Sequence, residues 1–257
     1  MVRTTRETKS NKILLVLQFW AGDRAAAQRL AAFIADIQES HSAEADFLVV
    51  NRFDCDPLDA AVTAALSRKF NVYTYRSTIH ITGWPGGCNA LWLSAMEWVS
   101  SMIEARRVPG YKAIFTFEAD GAPIPADWVR RLSTAWDQAN AITTVTIAGP
   151  MVGGPGYSIH AHINGNCLIT GDVKKLSEIK RSAWAVSPTV GWDYALAGWF
   201  AGNGWANIPE MRSYYNSAAF SLQDYQKMVD ENLIWVHGDK SGCLIDYGYR
   251  RLMKREI

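Results

Sequence analysis

The sequence predicts an α/β fold with a mainly parallel central sheet covered by helices. Short apolar runs alternate with amphipathic helical stripes through the first half. No Pro-, Gly-, Ser- or charge-rich linker divides the 257 residues, and 49% of them are hydrophobic against 20% charged, the balance of an ordinary globular chain. Strands separated by crossover helices pair in parallel and need cover on both faces. A single domain is therefore expected over residues 1–257.

The elements follow in order. Residues 12–19 form a first buried strand, and 24–38 a helix with Ala27, Leu30, Ala31, Ile34 and Ile37 on one face. Residues 46–50 form a second strand, and 57–69 a helix opened by proline, whose missing N–H is no loss there. Residues 71–75, rich in β-formers, are a third strand. A loop at 83–87 precedes a long helix over 89–106, and a fourth strand at 112–117 runs into Glu118-Ala119-Asp120. The second half is less regular. It has a strand at 143–148, a loop at Gly153-Gly154-Pro155-Gly156, and a strand at 159–170 interrupted by Asn164-Gly165-Asn166. Helices near 173–180, 192–200 and 222–232 follow, then a strand at 233–236 and a last helix near 244–254.

Several function classes are disfavoured. A net charge of +1 gives no global field for nucleic acid or membrane. The basic clusters Lys174-Lys175 with Lys180-Arg181, and Arg250-Arg251 with Lys254-Arg255, read as solvated helix faces. Cys55, Cys88, Cys167 and Cys243 form no C-x-x-C pair and read as free thiols of a reducing compartment. Arg3, Arg6, Lys9 and Lys12 ahead of an apolar run imitate a signal peptide, but Gln18 interrupts the run and a helix follows at once. No stretch approaches the ~20 apolar residues of a membrane span, so a cytoplasmic protein is expected. The 11 Trp residues suit a core and sugar-stacking surfaces alike. Only Gly22 stands in the first strand-to-helix turn, so the dinucleotide fingerprint is missing, and there is no P-loop.

Ligands of such sheets bind beyond the carboxyl ends of the strands. Residues after positions 19, 50, 75 and 117 should converge on one crevice. There Glu118 and Asp120 offer two hard oxygen donors to Mg²⁺ or Mn²⁺ where a strand frays. Asp54 and Asp56 after the second strand and Arg76 after the third are placed to meet a base or ribose, although surface charges near turns explain them as simply.

Phe117-Glu118-Ala119-Asp120-Gly121, followed through Pro123 and Pro125 by Ala126-Asp127-Trp128, resembles the metal motif of family 2 glycosyltransferases of the GT-A fold. Gly86-Gly87-Cys88-Asn89 stands where that family opens a long helix with an Arg-Asn pair, with Cys88 in place of Arg. Trp192-Asp193 stands where an acidic motif opens a later helix, without the usual Glu. Trp235-Val236-His237-Gly238-Asp239-Lys240-Ser241 resembles the His-Gly segment near the end of metal-dependent members, and the order of motifs is kept over roughly residues 12–245.

The resemblance implies a GT-A-like, Rossmann-related fold with a nucleotide-binding half at about 12–120 and an acceptor and catalytic half at about 121–257. It implies transfer of a sugar from a nucleotide-diphosphate donor, most often a UDP-sugar in that family, to an acceptor hydroxyl with inversion. It assigns Glu118, Asp120 and His237 to a Mn²⁺ or Mg²⁺ ion, Lys240 to the diphosphate, Asn89 to the donor side and Asp193 to the acceptor proton. Read from residues alone, Asp193 is equally a helix-start carboxylate favoured by the dipole, and His237 equally a loop histidine.

His160-x-His162 on a strand would place two imidazoles on one face, as in a zinc pair. Asn164-Gly165-Asn166 suits an acceptor-side lining or an ordinary turn. Two rivals stay open: a nucleotidyltransferase, for which Ala21-Gly22-Asp23-Arg24 is a poor match, and a non-catalytic carbohydrate-binding protein. The acceptor is open among a glycan, a protein, a small molecule and a hydroxylated DNA base.

Overall fold

Strand β1 (Ile13–Phe19) is buried over its whole length, and the other elements assemble around it. The structure is a computed structural model that describes residues 10–155, 159–186, 189–214 and 219–253. After β1 come a 3-10 turn at Ala21–Asp23, α1 (Arg24–Ile37), β2 (Ala45–Asn51), α2 (Ala60–Ser67) and β3 (Val72–Arg76). Next are α3 (Gly86–Glu104), β4 (Ala113–Glu118), β5 (Gly121–Pro123) and α4 (Trp128–Ile142). The second half carries β6 (Ile147–Gly149), β7 (Met151–Val152), β8 (His162–Ile163), β9 (Cys167–Thr170) and α5 (Val173–Val186). It continues with α6 (Trp192–Ala195), α7 (Ala197–Asn203), β10 (Trp205–Asn207), β11 (Met211–Ser213), α8 (Leu222–Asp230), β12 (Trp235–His237) and α9 (Cys243–Met253).

Seven strands form the main sheet in the order β10-β6-β9-β4-β1-β2-β3. β1 pairs in parallel with β2 and β4, and β2 with β3. The register sets Phe19 beside Asn51, Asn51 beside Arg76 and Gln18 beside Glu118, so the carboxyl ends finish nearly level. β9 runs antiparallel to both of its neighbours.

Alternation of side chains along β1 explains the cover on both faces. Ile13, Leu15, Leu17 and Phe19 join one core with α1, α4 and α9, whereas Leu14 and Val16 join a second core with α3 and α5. The α/β class and the mainly parallel, helix-flanked sheet are as expected.

A second sheet, in the order β11-β12-β5, joins the first through an aromatic nucleus. Trp235 is fully buried, with its ring centroid 4.9 Å from Phe117, 5.1 Å from Phe115 and 5.5 Å from Trp128. Its indole lies over Gly121, where a Cβ would collide with the ring.

The structure corrects the sequence expectations in the second half. Residues 121–123, given no element above, form strand β5, an edge position where Pro123 breaks no ladder. The strand expected at 159–170 is two short ones in different sheets, β8 and β9, and β9 is the antiparallel member of a sheet expected to be mainly parallel. The helix expected at 192–200 is split at Leu196 into α6 and α7. β10 and β11, with three residues each, are too short to show a period and were not expected. Arg3, Arg6, Lys9, Gly156, Lys254 and Arg255 lie outside the described residues. Among the described residues no helix is long and apolar enough to cross a membrane, and the four cysteines are free.

A buried carboxylate ties the amino ends of the strands. Asp46 accepts from Lys12 Nζ at 2.8 Å, Asn71 Nδ2 at 3.0 Å and Tyr111 Oη at 3.0 Å. Asp46→Ala leaves the Lys12 and Tyr111 donors without their acceptor. Removing one member of a buried pair costs about 3–5 kcal/mol, and partly exposed Lys12 places this case near about 3 kcal/mol. Urea unfolding should show that loss with an unchanged m-value. A loss under about 1 kcal/mol would mean that the network adds little.

Candidate active site

The carboxyl ends of β1 to β4 are level, and the loops that follow them come within electrostatic reach of one another at that edge of the sheet. β1 delivers Trp20 and Asp23, β2 delivers Arg52 and Asp54, and β4 delivers Glu118 and Asp120. β9 runs the other way, so its amino end brings Asn164-Gly165-Asn166 to the same edge. The start of α3 adds Cys88.

His237 reaches Asp120 because β12 pairs antiparallel with β5, setting His237 opposite Gly121. The chain after it is fastened in turn: Gly238 N and Asp239 N both donate to the Asp120 carbonyl, at 3.1 and 2.8 Å. Gly238 has φ +105°, and a side chain there would strike the Tyr214 carbonyl, so only glycine suits this turn. Buried Asp239 completes the anchor by accepting from Leu244 N at 2.8 Å, Cys243 N at 3.2 Å and Ser241 Oγ at 2.9 Å.

His237 Nε2 lies 3.2 Å from Asp120 Oδ1 and 3.4 Å from Glu118 Oε2. Among the described residues these three form the only set of its kind, with ligand atoms all within 4.8 Å of one another. The side chains of His237 and Asp120 are only 13% and 11% exposed, and that of Glu118 is 51% exposed. Ser213 Oγ lies 3.0 Å from His237 Nδ1. With Nδ1–H assigned as the donor to that hydroxyl, Nε2 is the ring nitrogen that faces the carboxylates. His237 Nε2 and Asp120 Oδ2 are both buried, the first facing the two carboxylates. Lys240 Nζ sits against Asp120 Oδ2 as an ion pair. Two carboxylates and one imidazole suit Mn²⁺ or Mg²⁺.

The electrostatics agree with that density of charge. Burial alone would raise the Asp120 pKa, but His237 and Lys240 hold it well below the usual carboxylate range. Burial alone would lower that of His237, but Asp120 and Glu118 carry it up to about 9. Burial pushes Asp23 upward, against the pull of Lys240.

Asp193 opens α6 on the far side of the Asn164-Gly165-Asn166 turn. Its Oδ2 accepts from Gly165 N and its Oδ1 from Tyr194 N, both at 2.9 Å. The same turn reaches β4: Thr116 Oγ1 donates to the Gly165 carbonyl at 2.8 Å, and Glu118 N to Asn166 Oδ1 at 3.2 Å. The turn thus holds Asp193 and Glu118 in fixed relation. Burial pushes the Asp193 carboxyl upward, and nearby His162 opposes the shift.

Asn89, expected on the donor side, is fully buried with its amide already engaged. Nδ2 donates to the Val190 carbonyl at 2.7 Å, and Oδ1 accepts from Trp192 N at 3.0 Å. Trp92, one turn along α3, stacks on Trp192 at 4.0 Å. In the structure Asn89 fastens the start of the helix that carries Asp193.

Asp54, Asp56 and Arg76 do gather at one corner, but not as free ligands. Both oxygens of Asp54 accept from Arg52, at 2.6 and 2.8 Å. Arg76 donates to the Cys55 carbonyl at 3.1 Å and lies 3.7 Å from Asp56. Arg52, which the sequence did not single out, also lies 5.1 Å over the Trp20 ring, and Trp20 is 43% exposed. Its place one residue beyond β2 was a legible cue. Ser213 was missed as well, and nothing in a three-residue strand announces it.

His160 and His162 flank Tyr194, with ring centroids at 6.0 and 5.4 Å, and His162 Nδ1 lies 2.9 Å from the His160 carbonyl oxygen. They belong to no metal-ligand set among the described residues. Desolvation and the surrounding carboxylates push the thiol of Cys88 up to about 11.

No model of a known protein family matches the sequence, and no curated protein matches it. Solved structures give likenesses at low identity. One is the glycosyltransferase GlyE of Streptococcus pneumoniae TIGR4, at 10% identity over 88% of this chain, with TM-score 0.47. The chain spans 54% of the length of GlyE. Another is the galactosyltransferase LgtC in complex with donor and acceptor sugar analogues, at 12% identity over 87% of this chain and 86% of that one, with TM-score 0.49. A third is 4-diphosphocytidyl-2C-methyl-D-erythritol synthase, at 15% identity over 86% and 97%, with TM-score 0.47. What the crevice of this chain does is decided by its own residues.

A raised histidine pKa stabilises the folded state below the unfolded value and ceases to do so as pH rises through the folded one. In chelator-treated protein, stability should therefore fall between pH 6.5 and about 9, by on the order of 3 kcal/mol. His237→Gln should flatten that interval in thermal melts. A parental profile already flat there would show that the imidazole is not paired with the carboxylates.

Proposed function

We propose that this chain is a metal-dependent glycosyltransferase of GT-A-like fold that moves a sugar from a nucleotide-diphosphate donor, a UDP-sugar, to an acceptor hydroxyl with inversion. The observation that carries the proposal is the meeting of Glu118, Asp120 and His237 with ligand atoms all within 4.8 Å of one another, with Asp193 tied to Glu118 through the Asn164-Gly165-Asn166 turn. A divalent cation bound there supplies charge stabilisation to the departing diphosphate.

The chain's own residues do the rest. Ser213 fixes the ring of His237, and the β5–β12 ladder keeps it beside Asp120. Lys240 offers a mobile ammonium to diphosphate oxygens. Asp193 takes the proton of the attacking hydroxyl; its two backbone donors fix the carboxylate, and burial raises its basicity. Arg52 and Trp20 form the wall against which the base lies, with Asp54, Asp56 and Arg76 around it. The free cysteines suit a cytoplasmic setting.

The paired test uses Asp193→Asn and Asp120→Ala. Asp193→Asn keeps shape but takes no proton at neutral pH. Transfer at saturating donor should fall by about 10²–10⁴-fold, while UDP-sugar binding by calorimetry stays near parental. Asp120→Ala should abolish the thermal stabilisation that UDP-sugar with Mn²⁺ gives the parent. Near-parental transfer by Asp193→Asn removes the base and the support for inversion. A parent that gains no stability from any nucleotide-sugar with Mn²⁺ overturns the glycosyltransferase reading.

A further inference from the structure

Lys240 occupies an ambiguous position for a diphosphate ligand. Its ammonium lies against Asp120 Oδ2, while the other oxygen of that carboxylate, Oδ1, lies 3.2 Å from His237 Nε2. A divalent cation on Asp120 and an ammonium on the same carboxylate would be like charges in contact within a partly dry crevice, where charge interactions are strong. Each weakens the other's hold on that carboxylate.

The surroundings favour exchange over permanent pairing. The Lys240 side chain is 64% exposed, so it leaves Asp120 for water or for an anionic ligand without disturbing packing. The backbone under it cannot follow. Gly238 and Asp239 are bonded to the Asp120 carbonyl, and buried Asp239 caps α9. The movable part is one flexible side chain on a fixed base.

Resting on the metal reading above, we propose that Lys240 is a built-in competitor for the cation. Its ammonium holds Asp120 in the cation-free protein and is released toward the donor's diphosphate only when the cation takes that carboxylate. Cation and diphosphate are thereby bound as a pair: the cation alone must displace a charge, and the diphosphate repays that displacement by receiving it. The ammonium also keeps the buried carboxylate compensated while no cation is bound, when an unpaired charge would be costly.

The competitor makes a prediction of unusual sign. Lys240→Met keeps the length of the stem and removes the charge. Calorimetric or electron-paramagnetic titration of nucleotide-free protein with Mn²⁺ should show binding about tenfold tighter than parental, equal to about 1.4 kcal/mol and in the range of one charge-assisted bond. With Mn²⁺ saturating, the same variant should bind UDP about tenfold more weakly. Lys240→Arg, which keeps the charge, should retain parental Mn²⁺ affinity. Unchanged or weaker Mn²⁺ binding by Lys240→Met overturns the competitor while leaving the metal site standing. A parent that binds no Mn²⁺ overturns the metal reading itself, and the competitor with it.

Discussion

The indole of Trp235 resting on Gly121 is the contact on which the crevice depends. β5 and β12 have three residues each, and a ladder that short has little stability of its own. It is held because Trp235 is driven into the aromatic nucleus of Phe115, Phe117 and Trp128, where its burial is worth several kcal/mol. That seat exists only while position 121 has no side chain. Two residues on from the tryptophan, His237 then has one place to be, beside Asp120. Packing that looks purely structural thereby sets distances of 3.2 and 3.4 Å between an imidazole nitrogen and two carboxylates.

The opposite rim is organised by strand direction. Had β9 run parallel to its neighbours, the turn before it would have fallen at the amino end of the sheet, near Asp46. Because it runs antiparallel, Asn164-Gly165-Asn166 arrives at the carboxyl end and bridges two segments. One residue of the turn bonds the backbone of Glu118 and its neighbour bonds the carboxylate of Asp193. A rigid bridge of this kind suits a site in which a leaving group and an attacking group must be held at a set separation.

How much of this could be read beforehand depended on length and period. The first half, with its long runs and five-to-seven-residue strands, has boundaries within a few residues of those expected, because alternation and helical spacing both have room to repeat. Glu118 and Asp120 were named because two carboxylates at a strand end offer hard oxygens to a cation, whereas His237 was named through the resemblance of its His-Gly segment to that of metal-dependent glycosyltransferases. Asn89 was named through the resemblance alone, and its bonds to Val190 and Trp192 join segments too far apart in sequence for any local pattern to show. Arg52 escaped because Asp54 and Asp56 beside it drew the attention, whereas in the structure Arg52 neutralises Asp54. β5, β10, β11 and Ser213 were illegible for a common reason. Three residues display no period, and what makes them strands is a partner far away in the chain.

The distance in sequence between Asp120 and His237 has a kinetic side. Closing so long a loop costs only modestly more entropy than closing a short one, but it must wait until nearly everything between is in place. The parallel core can therefore exist before the triad does, and can outlast it. Undocking of the segment around β12 would dismantle the triad while the seven-stranded sheet stays closed, an opening far smaller than global unfolding. Any ion that prefers the docked arrangement pulls that local equilibrium toward closure by mass action. The site and its ligand then stabilise each other, and occupancy is read out as the docking of one short strand.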